Sequence, residues 1–559
     1  MNLFQSVADV LKTDSRFFST DGIFLRNAVY EAAMQMDAEL LKLLFSNSIT
    51  KRRFFKEVNG FYIFDKVDFS WVINNKQFLP DSYTRYKNKI GLLTPSGEYI
   101  SESKDVELVF PYKDCVLEGG QKREDEKRKE IFYNEKLSSD NVDRLLAPKV
   151  FTKAKRFSVN GYENSICFNQ DDNLVIKGNN LLALASLLKR YEGKVNLIYI
   201  DPPYNTGNDS FKYNDSFNHS TWLTFMKNRL ELAKKLLAPN GSIYVQIDSN
   251  ESAYLKVLMD EVFENNFKAE IIWVLKGASG FKSLSNNYVR GHDSILFYTR
   301  SKEFLYNKCY LPYGEDQLKR FSSIDEHGRK YKPITKVRRM YLDEAKGIPL
   351  TDVWDDIASF QTVVNSNEIT GFSTQKPEKL MQRIIECSSN KGDIVLDFHG
   401  GSGTTASAAM KLGRRFITIE QMDYVEDILL KRLEDVVLGK QSGISKATGY
   451  LGGGTFVYCE LAELNQKYVS EINQAQTDSE ILKLLESILN TSFISHYIDP
   501  KDIATSTDEF NELPLEDKKR LLMELLDKNQ LYINYCDIDD ETFNITAADK
   551  EFTRSFYGD

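Results

Sequence analysis

The stretch that most limits what this chain can fold into is residues 195–207, VNLIYIDPPYNTG. Its apolar run (Leu197, Ile198, Tyr199, Ile200) is too short for a helix and lacks polar alternation, so it reads as a strand buried on both faces of a parallel sheet. The run stops abruptly at Asp201, Pro202, Pro203 and Tyr204. Open α/β sheets bind ligands beyond the carboxyl ends of their strands, which is where this acid, two prolines and an aromatic fall. Two prolines fix φ at about −65° and supply no N–H. The Asp201 carboxylate and the Pro202 carbonyl are then rigid acceptors with no donor between them, a site suited to a neutral amino group. Tyr204 adds a ring face on which a planar base can stack. Taken alone, Asp-Pro-Pro-Tyr reads equally well as a stiff turn leaving a sheet.

A second stretch changes that balance. Residues 393–405, DIVLDFHGGSGTT, contain another apolar strand (Ile394, Val395, Leu396) ending in an acid, Asp397, followed by Gly400, Gly401 and Gly403 and then a helix. The glycines allow a tight turn and close backbone approach to a ligand, and the helix start offers unpaired N–H groups. A further strand, Phe416 to Ile419, ends in Glu420, placed to accept from the two hydroxyls of a ribose. No Gly-Lys-Ser/Thr follows the glycines, so a nucleoside triphosphate site is not expected.

The net charge of −9 argues against nucleic acid as a partner only on average. Residues 276–346 carry fifteen Lys/Arg against eight Asp/Glu, a local +7 that leaves −16 for the rest of the chain. Tyr288, Phe297, Tyr298, Tyr310, Tyr313, Phe321, Tyr331 and Tyr341 are interleaved with these charges. A charge run is usually a solvated face. This one lies between the two motifs, so it emerges at the rim of their crevice.

The remainder reads as support. The first 150 residues look mostly helical, with amphipathic spacing over 21–47 that fits one or two helices behind an Asp cap. The mixed-charge stretch 119–130 reads as an exposed loop or frayed helix. Trp222 to Leu237 has helical spacing and is stopped by Pro239-Asn240-Gly241 before a strand from Ser242 to Ile247. Residues 374–389 form a helix entered by Gln375-Lys376-Pro377. TFVYCEL (455–461) completes the sheet as an edge hairpin, and beyond it helical patterns give way to a strand-like alternation at Leu531 to Tyr535. Six scattered cysteines without a CxxC pair suit reduced thiols, and five scattered histidines give no metal-ligand spacing. The start of the chain shows neither a signal peptide nor a membrane span, so a cytoplasmic setting is expected.

The two motifs together resemble the amino-methyltransferases of DNA that use S-adenosylmethionine, and their order, catalytic motif before cofactor motif, resembles the β class. Further stretches resemble the methylation (Mod) subunit of type III restriction-modification systems: FLPDSYTRYKNKIGL (78–92), VIKGNNLLALASLL (175–188), VWDDI (353–357), TQKPEKLMQRIIECSS (374–389), GGGTFVYCEL (452–461) and LLMELLDKNQLYINY (521–535). Together they span nearly the whole chain. The resemblance implies an α/β, Rossmann-like S-adenosylmethionine-dependent methyltransferase sheet over 151–275 and 371–460. It also implies a target-recognition domain inserted at 276–370, an accessory region at 1–150 and an oligomerisation or partner-binding region at 461–559.

Residue by residue, the resemblance implies cofactor contacts from Asn179, where relatives usually have Asp, and from Thr374, Lys376 and Pro377 over the methionine end. The loop Asp397, Phe398, His399, Gly400, Gly401, Ser402, Gly403, Thr404 and Thr405 belongs to the same site, with Glu420; His399 stands where relatives commonly have Phe or Tyr. In the basic stretch Lys276, Arg290, Lys319, Arg320, Arg329, Lys330, Lys336, Arg338 and Arg339 are the expected DNA contacts. A homodimer and a helicase-nuclease (Res) partner are implied as well.

The expected reaction is methylation of adenine N6 in double-stranded DNA. Asp201 and the Pro202 carbonyl would hold both N–H groups of the amine and localise its lone pair, with Tyr204 stacked on a base swung out of the helix. Cytosine N4 methylation uses the same acceptor geometry. A non-catalytic DNA-reading scaffold and an RNA substrate are more distant alternatives.

Overall fold

The run Val195–Ile200 forms a strand near the middle of an eleven-stranded sheet. The computed structural model describes residues 3–18, 24–58, 60–66, 139–206, 217–276, 288–335, 338–363, 365–491, 513–527 and 530–559, with short strands between 91 and 133 and positions 69, 73, 494 and 510. The sheet strands are, in chain order, β1 (Phe151–Ser158), β2 (Gly161–Asn164), β3 (Asn173–Lys177), β4 (Val195–Ile200), β5 (Leu237–Ile247), β6 (Phe267–Val274), β7 (His292–Thr299), β8 (Val353–Trp354), β9 (Ile394–Asp397), β10 (Arg415–Glu420) and β11 (Phe456–Leu461). In space they run β8-β6-β7-β5-β4-β9-β10-β3-β11-β1-β2. The six from β5 to β11 are parallel. Antiparallel β7 and β6 extend one side and the β1–β2 hairpin the other.

Helices on both faces explain why the central strands are apolar without alternation. Ile198, Ile200, Val245, Leu396 and Ile419 point into a core shared with α1 (Asn180–Tyr191), α2 (His219–Leu236) and α3 (Ser252–Val262). Leu197, Tyr199, Val395 and Phe416 point the other way, into a core shared with α4 (Glu378–Ser388), α5 (Thr404–Lys411) and α6 (Lys431–Val437). Each large apolar side chain buried in this way contributes about 1.5–3 kcal/mol over its exposed state. β4 and β9 are neighbours, with Leu197 opposite Val395 and Ile198 opposite Leu396. The chain leaves β4 toward β5 on one side and leaves β9 toward β10 on the other. Strand order therefore reverses between them, and a crevice opens beyond their carboxyl ends.

Several local expectations change in the folded chain. β11 is not an edge strand: it lies between β3 and β1, and the edge hairpin is β1–β2. Its Val457 and Cys459 are fully buried, which an edge would not achieve. Pro239-Asn240-Gly241 makes no separate turn. α2 ends at Leu236 and β5 begins at Leu237, and residues 238–241 are absorbed as an irregularity opposite Val195 and Leu197 of β4. α4 starts at Glu378, so Pro377 caps the helix and residues 374–376 precede it. β7 and β8, inside the span read as inserted, belong to the main sheet. The chain between them forms a three-stranded sheet of Ser323–Ile324, Lys330–Pro333 and Arg339–Tyr341 and a two-stranded one of Tyr310–Leu311 and Ile348–Pro349.

The chain divides into two units, residues 1–89 and 90–559. In the first, the 21–47 stretch gives two helices, Arg26–Met34 and Ala38–Ser46, the second capped by Asp37, which accepts from Leu40 N at 2.9 Å. Val7, Val29, Leu40, Leu44 and Phe54 form its core. Residues 119–130 lie outside the described residues, but Gly91–Leu93 pairs with Glu107–Val109 and Val116–Glu118 with Ile131–Tyr133, so strands occur where helix was expected.

The C-terminal span 461–559 also divides. Helices Asn465–Gln474, Asp478–Thr491 and Leu515–Leu525 share a small core of their own. Beyond them α7 (Ala547–Tyr557) returns to the sheet, with Phe552 and Phe556 packed on Phe151 and Thr553 Oγ1 bonded to both the N–H and the C=O of Phe151 at 3.0 Å. Leu531–Tyr535 makes isolated bridges rather than a strand. Among the described residues no helix is long and apolar enough to cross a membrane.

Candidate active site

Asp201 directly follows β4 and Asp397 ends β9, so the register of two neighbouring parallel strands delivers two carboxylates to one crevice. Asp201 Oδ1 accepts from the Tyr204 hydroxyl at 2.7 Å, and Asp201 Oδ2 pairs with the Lys376 ammonium. The Tyr204 hydroxyl also lies 3.1 Å from Asp293 Oδ2 on β7. That oxygen takes an N–H of Gln246 at 2.8 Å, and Gln246 Oε1 takes the Tyr199 hydroxyl at 2.6 Å. Burial pushes the Asp201 carboxyl above its ordinary value, while Lys376 and Tyr204 pull against that shift.

The turn after Asp201 is pinned from outside. The Trp222 indole N–H donates to the Pro203 carbonyl at 2.8 Å. Asn205 takes a left-handed φ of 59°, which Asn tolerates better than most residues, and bonds both Glu251 and the Phe217 N–H at 2.6 Å. His219 shares the same Glu251 oxygen at 2.8 Å. Residues 207–216 of the loop lie outside the described residues.

On the other strand, Asp397 accepts from the Thr405 hydroxyl at 2.6 Å and the His399 N–H at 3.0 Å. Burial, with the negative charges of Asp201 and Glu420, pushes it up to about 7. The glycine loop is packed as tightly as its composition suggests. A Cβ on Gly400 would sit 2.5 Å from Thr418 Oγ1, and Gly403 has a φ of 74° at the N-cap of α5. Glu420 is held by the N–H groups of Gly401 and Gln421 at 2.8 Å and Met422 at 3.0 Å. His399 is pushed down to about 3 by burial, with Arg229 adding to the shift, so its imidazole is neutral.

These groups line one pocket from Asp201 to Glu420, with Pro203, Thr374, Lys376, Phe398, His399, Gly400, Gly401, Ser402, Thr404 and Thr405 in its wall. Sequence reasoning missed Phe372, Gln375, Met381, Gln421, Met422 and Tyr424, whose residue types carry no signal of their own. Asn179 is not in the wall. Its side chain caps α1, accepting from Leu181 N at 3.0 Å and Leu182 N at 3.4 Å, and the next residue, Asn180, faces the pocket instead. Pro377 and Gly403 act through backbone shape rather than as wall residues. Two buried wall atoms, His399 Nε2 and Gln421 Oε1, have no hydrogen-bond partner among the described residues, as a wall built for a polar ligand would leave them.

A buried ionic cluster fixes this wall. Glu378 is fully buried at the start of α4 and pairs with Lys411 at 2.8 Å and Arg432 at 3.0 Å. Burial works against its charge, but Arg432 and Lys411 more than offset that and hold the carboxyl below its ordinary value. Arg432 also donates to Thr404 Oγ1 at 2.9 Å, and that hydroxyl donates to the Lys376 carbonyl at 3.1 Å. The glycine loop and the segment before α4 are thus one hydrogen-bonded assembly.

Asp201, Pro202 and Tyr204 also face a wider cleft walled by Trp273, Leu275, Arg290, Asp293, Phe360 and Gln361. The expected DNA contacts separate by environment. Arg290 turns inward onto Asp248 and lies near Asp293, with its guanidinium 5.7 Å from the Tyr204 ring centroid. Arg329 is bidentate to Asp343 at 2.8 and 2.9 Å and also reaches Glu344, so it braces its own sheet. Lys319 pairs with Asp316 at 3.0 Å on the surface. Lys276, Arg320, Lys330, Arg338 and Arg339 are exposed, and Arg339 lies over the Tyr331 ring at 4.7 Å. Lys336 lies outside the described residues.

A family model described as a DNA methylase matches residues 195–431, from β4 into α6, and one described as the type III restriction/modification enzyme methylation subunit matches residues 37–92. The "Probable type III restriction-modification enzyme HindVI Mod subunit" of Haemophilus influenzae is 33% identical over 96% of this chain and 95% of the relative. The StyLTI Mod subunit of Salmonella typhimurium is 31% identical over 44% of this chain and 51% of its own length, and the EcoP15I Mod subunit of Escherichia coli is 37% identical over 24% and 25%. With a third of its residues shared along almost the whole of both chains, the protein belongs to the family of methylation (Mod) subunits of type III restriction-modification enzymes.

Proposed function

We propose that this protein methylates adenine N6 within a specific sequence of double-stranded DNA, as the modification and recognition subunit of a type III restriction-modification system. The observation that carries the chemistry is the placement of Asp201 and Pro202 one strand away from the glycine loop, with Asp201 facing both the enclosed pocket and the wider cleft. An exocyclic amine is a weak nucleophile because its lone pair is delocalised into the ring. Asp201 and the Pro202 carbonyl accept its two N–H groups and favour a nitrogen whose lone pair points toward the pocket. Tyr204, fixed by its hydroxyl between Asp201 and Asp293, supplies the stacking face. The amine cannot reach the pocket from inside a duplex, so the base is swung out at a cost of a few kcal/mol.

S-adenosylmethionine supplies the electrophilic methyl group when bound. Glu420, anchored by three backbone N–H groups, is set to receive ribose hydroxyls, and Asp397, His399, the glycine loop and Thr374 form the rest of the wall. The exposed cations of the 276–346 stretch supply the phosphate contacts. The family reading brings with it a restriction (Res) partner and a second copy of this chain.

The deciding experiment is mass spectrometry of nucleosides from DNA incubated with the protein and labelled S-adenosylmethionine, beside Asp201→Ala. N6-methyladenine that disappears in the variant supports both reaction and site. N4-methylcytosine would keep the geometry and change the base, and an unaltered rate in Asp201→Ala would remove Asp201 from the mechanism. Removal of this acceptor is expected to slow transfer by about 10²–10³-fold, the cost typical of deleting one preorganised polar partner, while cofactor affinity stays nearly constant.

A further inference from the structure

Lys376 stands in the segment that the family resemblance assigns to the methionine end of the cofactor, yet its ammonium is directed at Asp201. The pair joins residues 175 positions apart, and both side chains are largely enclosed, Lys376 at 12% and Asp201 at 19% exposure. The ammonium also donates to the Thr374 carbonyl at 3.2 Å and lies 5.3 Å from the Tyr204 ring centroid. The backbone on either side is locked. Thr404 Oγ1 donates to the Lys376 carbonyl, and the neighbouring Gln375 side chain bonds Thr370 and the Glu368 carbonyl, each at 2.8 Å. A lysine placed this firmly is part of the site's charge arrangement rather than a loose surface cation.

We propose that Lys376 is a positioning residue for methyl transfer, which keeps the Asp201 carboxylate charged and oriented so that it can accept the target amine. This rests on the reading above that Asp201 is that acceptor. The groups facing Asp201 show why a cation is needed. Asp293 on β7 and Asp397 at the end of β9 are negative or ionisable, and the phenols of Tyr199 on β4 and Tyr204 after it add no positive charge. Arg290 is taken up by Asp248 and Asp293. Lys376 is the cation in contact with Asp201 among the described residues. A protonated Asp201 would present a donor toward the amine where an acceptor is required. Lys376 disfavours that state, and it binds Oδ2 while Oδ1 accepts from the Tyr204 hydroxyl.

The test compares Lys376→Met and Lys376→Arg with the parent protein, measuring single-turnover methyl transfer to a pre-bound DNA duplex across pH at saturating S-adenosylmethionine. The KM for the cofactor and the thermal unfolding temperature are recorded in parallel. In Lys376→Met the acidic limb is expected to move up by about one unit or more, the size of shift an adjacent opposite charge produces. The KM for S-adenosylmethionine should change little, and Lys376→Arg should return the limb toward the parent. An unmoved limb with a raised KM would overturn the proposal and return Lys376 to the cofactor site, as would loss of transfer at every pH in both variants while they remain folded. Two variants separate this from failure of the underlying reading: parent-rate transfer by Asp201→Ala would show that the acceptor role itself is wrong, whereas parent-rate transfer by Asp201→Asn, which keeps an acceptor oxygen but no charge, would overturn the role of Lys376 alone.

Discussion

At the scale of single residues the site is a small set of ionisable groups whose environment decides their charge. Asp397 is the clearest case, since its burial costs most when it is ionised and moves it from 3.8 to about 7. A carboxyl raised by folding binds its proton more tightly in the native state, so its contribution to stability is full below its unfolded value and is lost as pH rises through the folded one. The unliganded protein should therefore lose thermal stability as pH rises from about 4 to about 7. Asp397→Asn, with no charge to bury, should flatten part of that slope in melting curves run across the range. Glu368, raised to about 6 by burial, acts in the same direction, so the slope is reduced and not abolished. His399 shows the opposite arrangement, a buried imidazole kept neutral, and it does not titrate near neutral pH.

At the scale of elements, α4, α5 and α6 share an apolar core and are also tied by the Glu378–Lys411–Arg432 cluster. Breaking a buried ion pair by removing one partner typically costs about 3–5 kcal/mol, because the charges left behind stay desolvated. Glu378→Ala is expected to lose stability of that order in urea unfolding and to weaken S-adenosylmethionine binding, since Arg432 no longer holds Thr404 against the Lys376 carbonyl. Glu378→Gln should be milder if Lys411 can turn to Ser442, whose carbonyl it already reaches at 2.9 Å. Unchanged cofactor affinity in a destabilised Glu378→Ala would separate the cluster from the loop. None of this was legible in sequence, where Glu378, Lys411 and Arg432 are ordinary helix residues.

For the whole molecule, the local excess of positive charge has to be divided between structure and nucleic acid. Arg338 and Arg339 are exposed, whereas Arg329 is tied to Asp343 and Glu344. Replacing Arg338 or Arg339 by Ala should weaken DNA binding and lower the slope of log affinity against log salt by about 1 for each lost phosphate contact. Arg329→Ala should leave that slope unchanged while loosening the three-stranded sheet. Equal slopes for all three variants in a salt titration would show that the basic face is not the DNA contact.

The central strands and the two motifs were legible in the sequence, whereas the order and edges of the sheet were not. A short apolar run that ends in an acid suits a parallel strand covered on both faces, and Val195–Ile200 and Ile394–Asp397 are such strands, with Asp397 itself buried at the crevice. Turn chemistry was equally readable at Gly400 and Gly403, where only glycine fits. What depended on which elements meet was not readable. Asn179 and Asn180 are chemically the same, and only the start of α1 decides that one caps and the other faces the pocket. An amphipathic stripe such as that of α7 says that a face must be buried but not against what, so its return to β1 from the far end of the chain came from the tertiary structure. The ion pair between Lys376 and Asp201 belongs to the same class: charge partners far apart in sequence are chosen by packing, because attraction between them counts only where folding has removed the water.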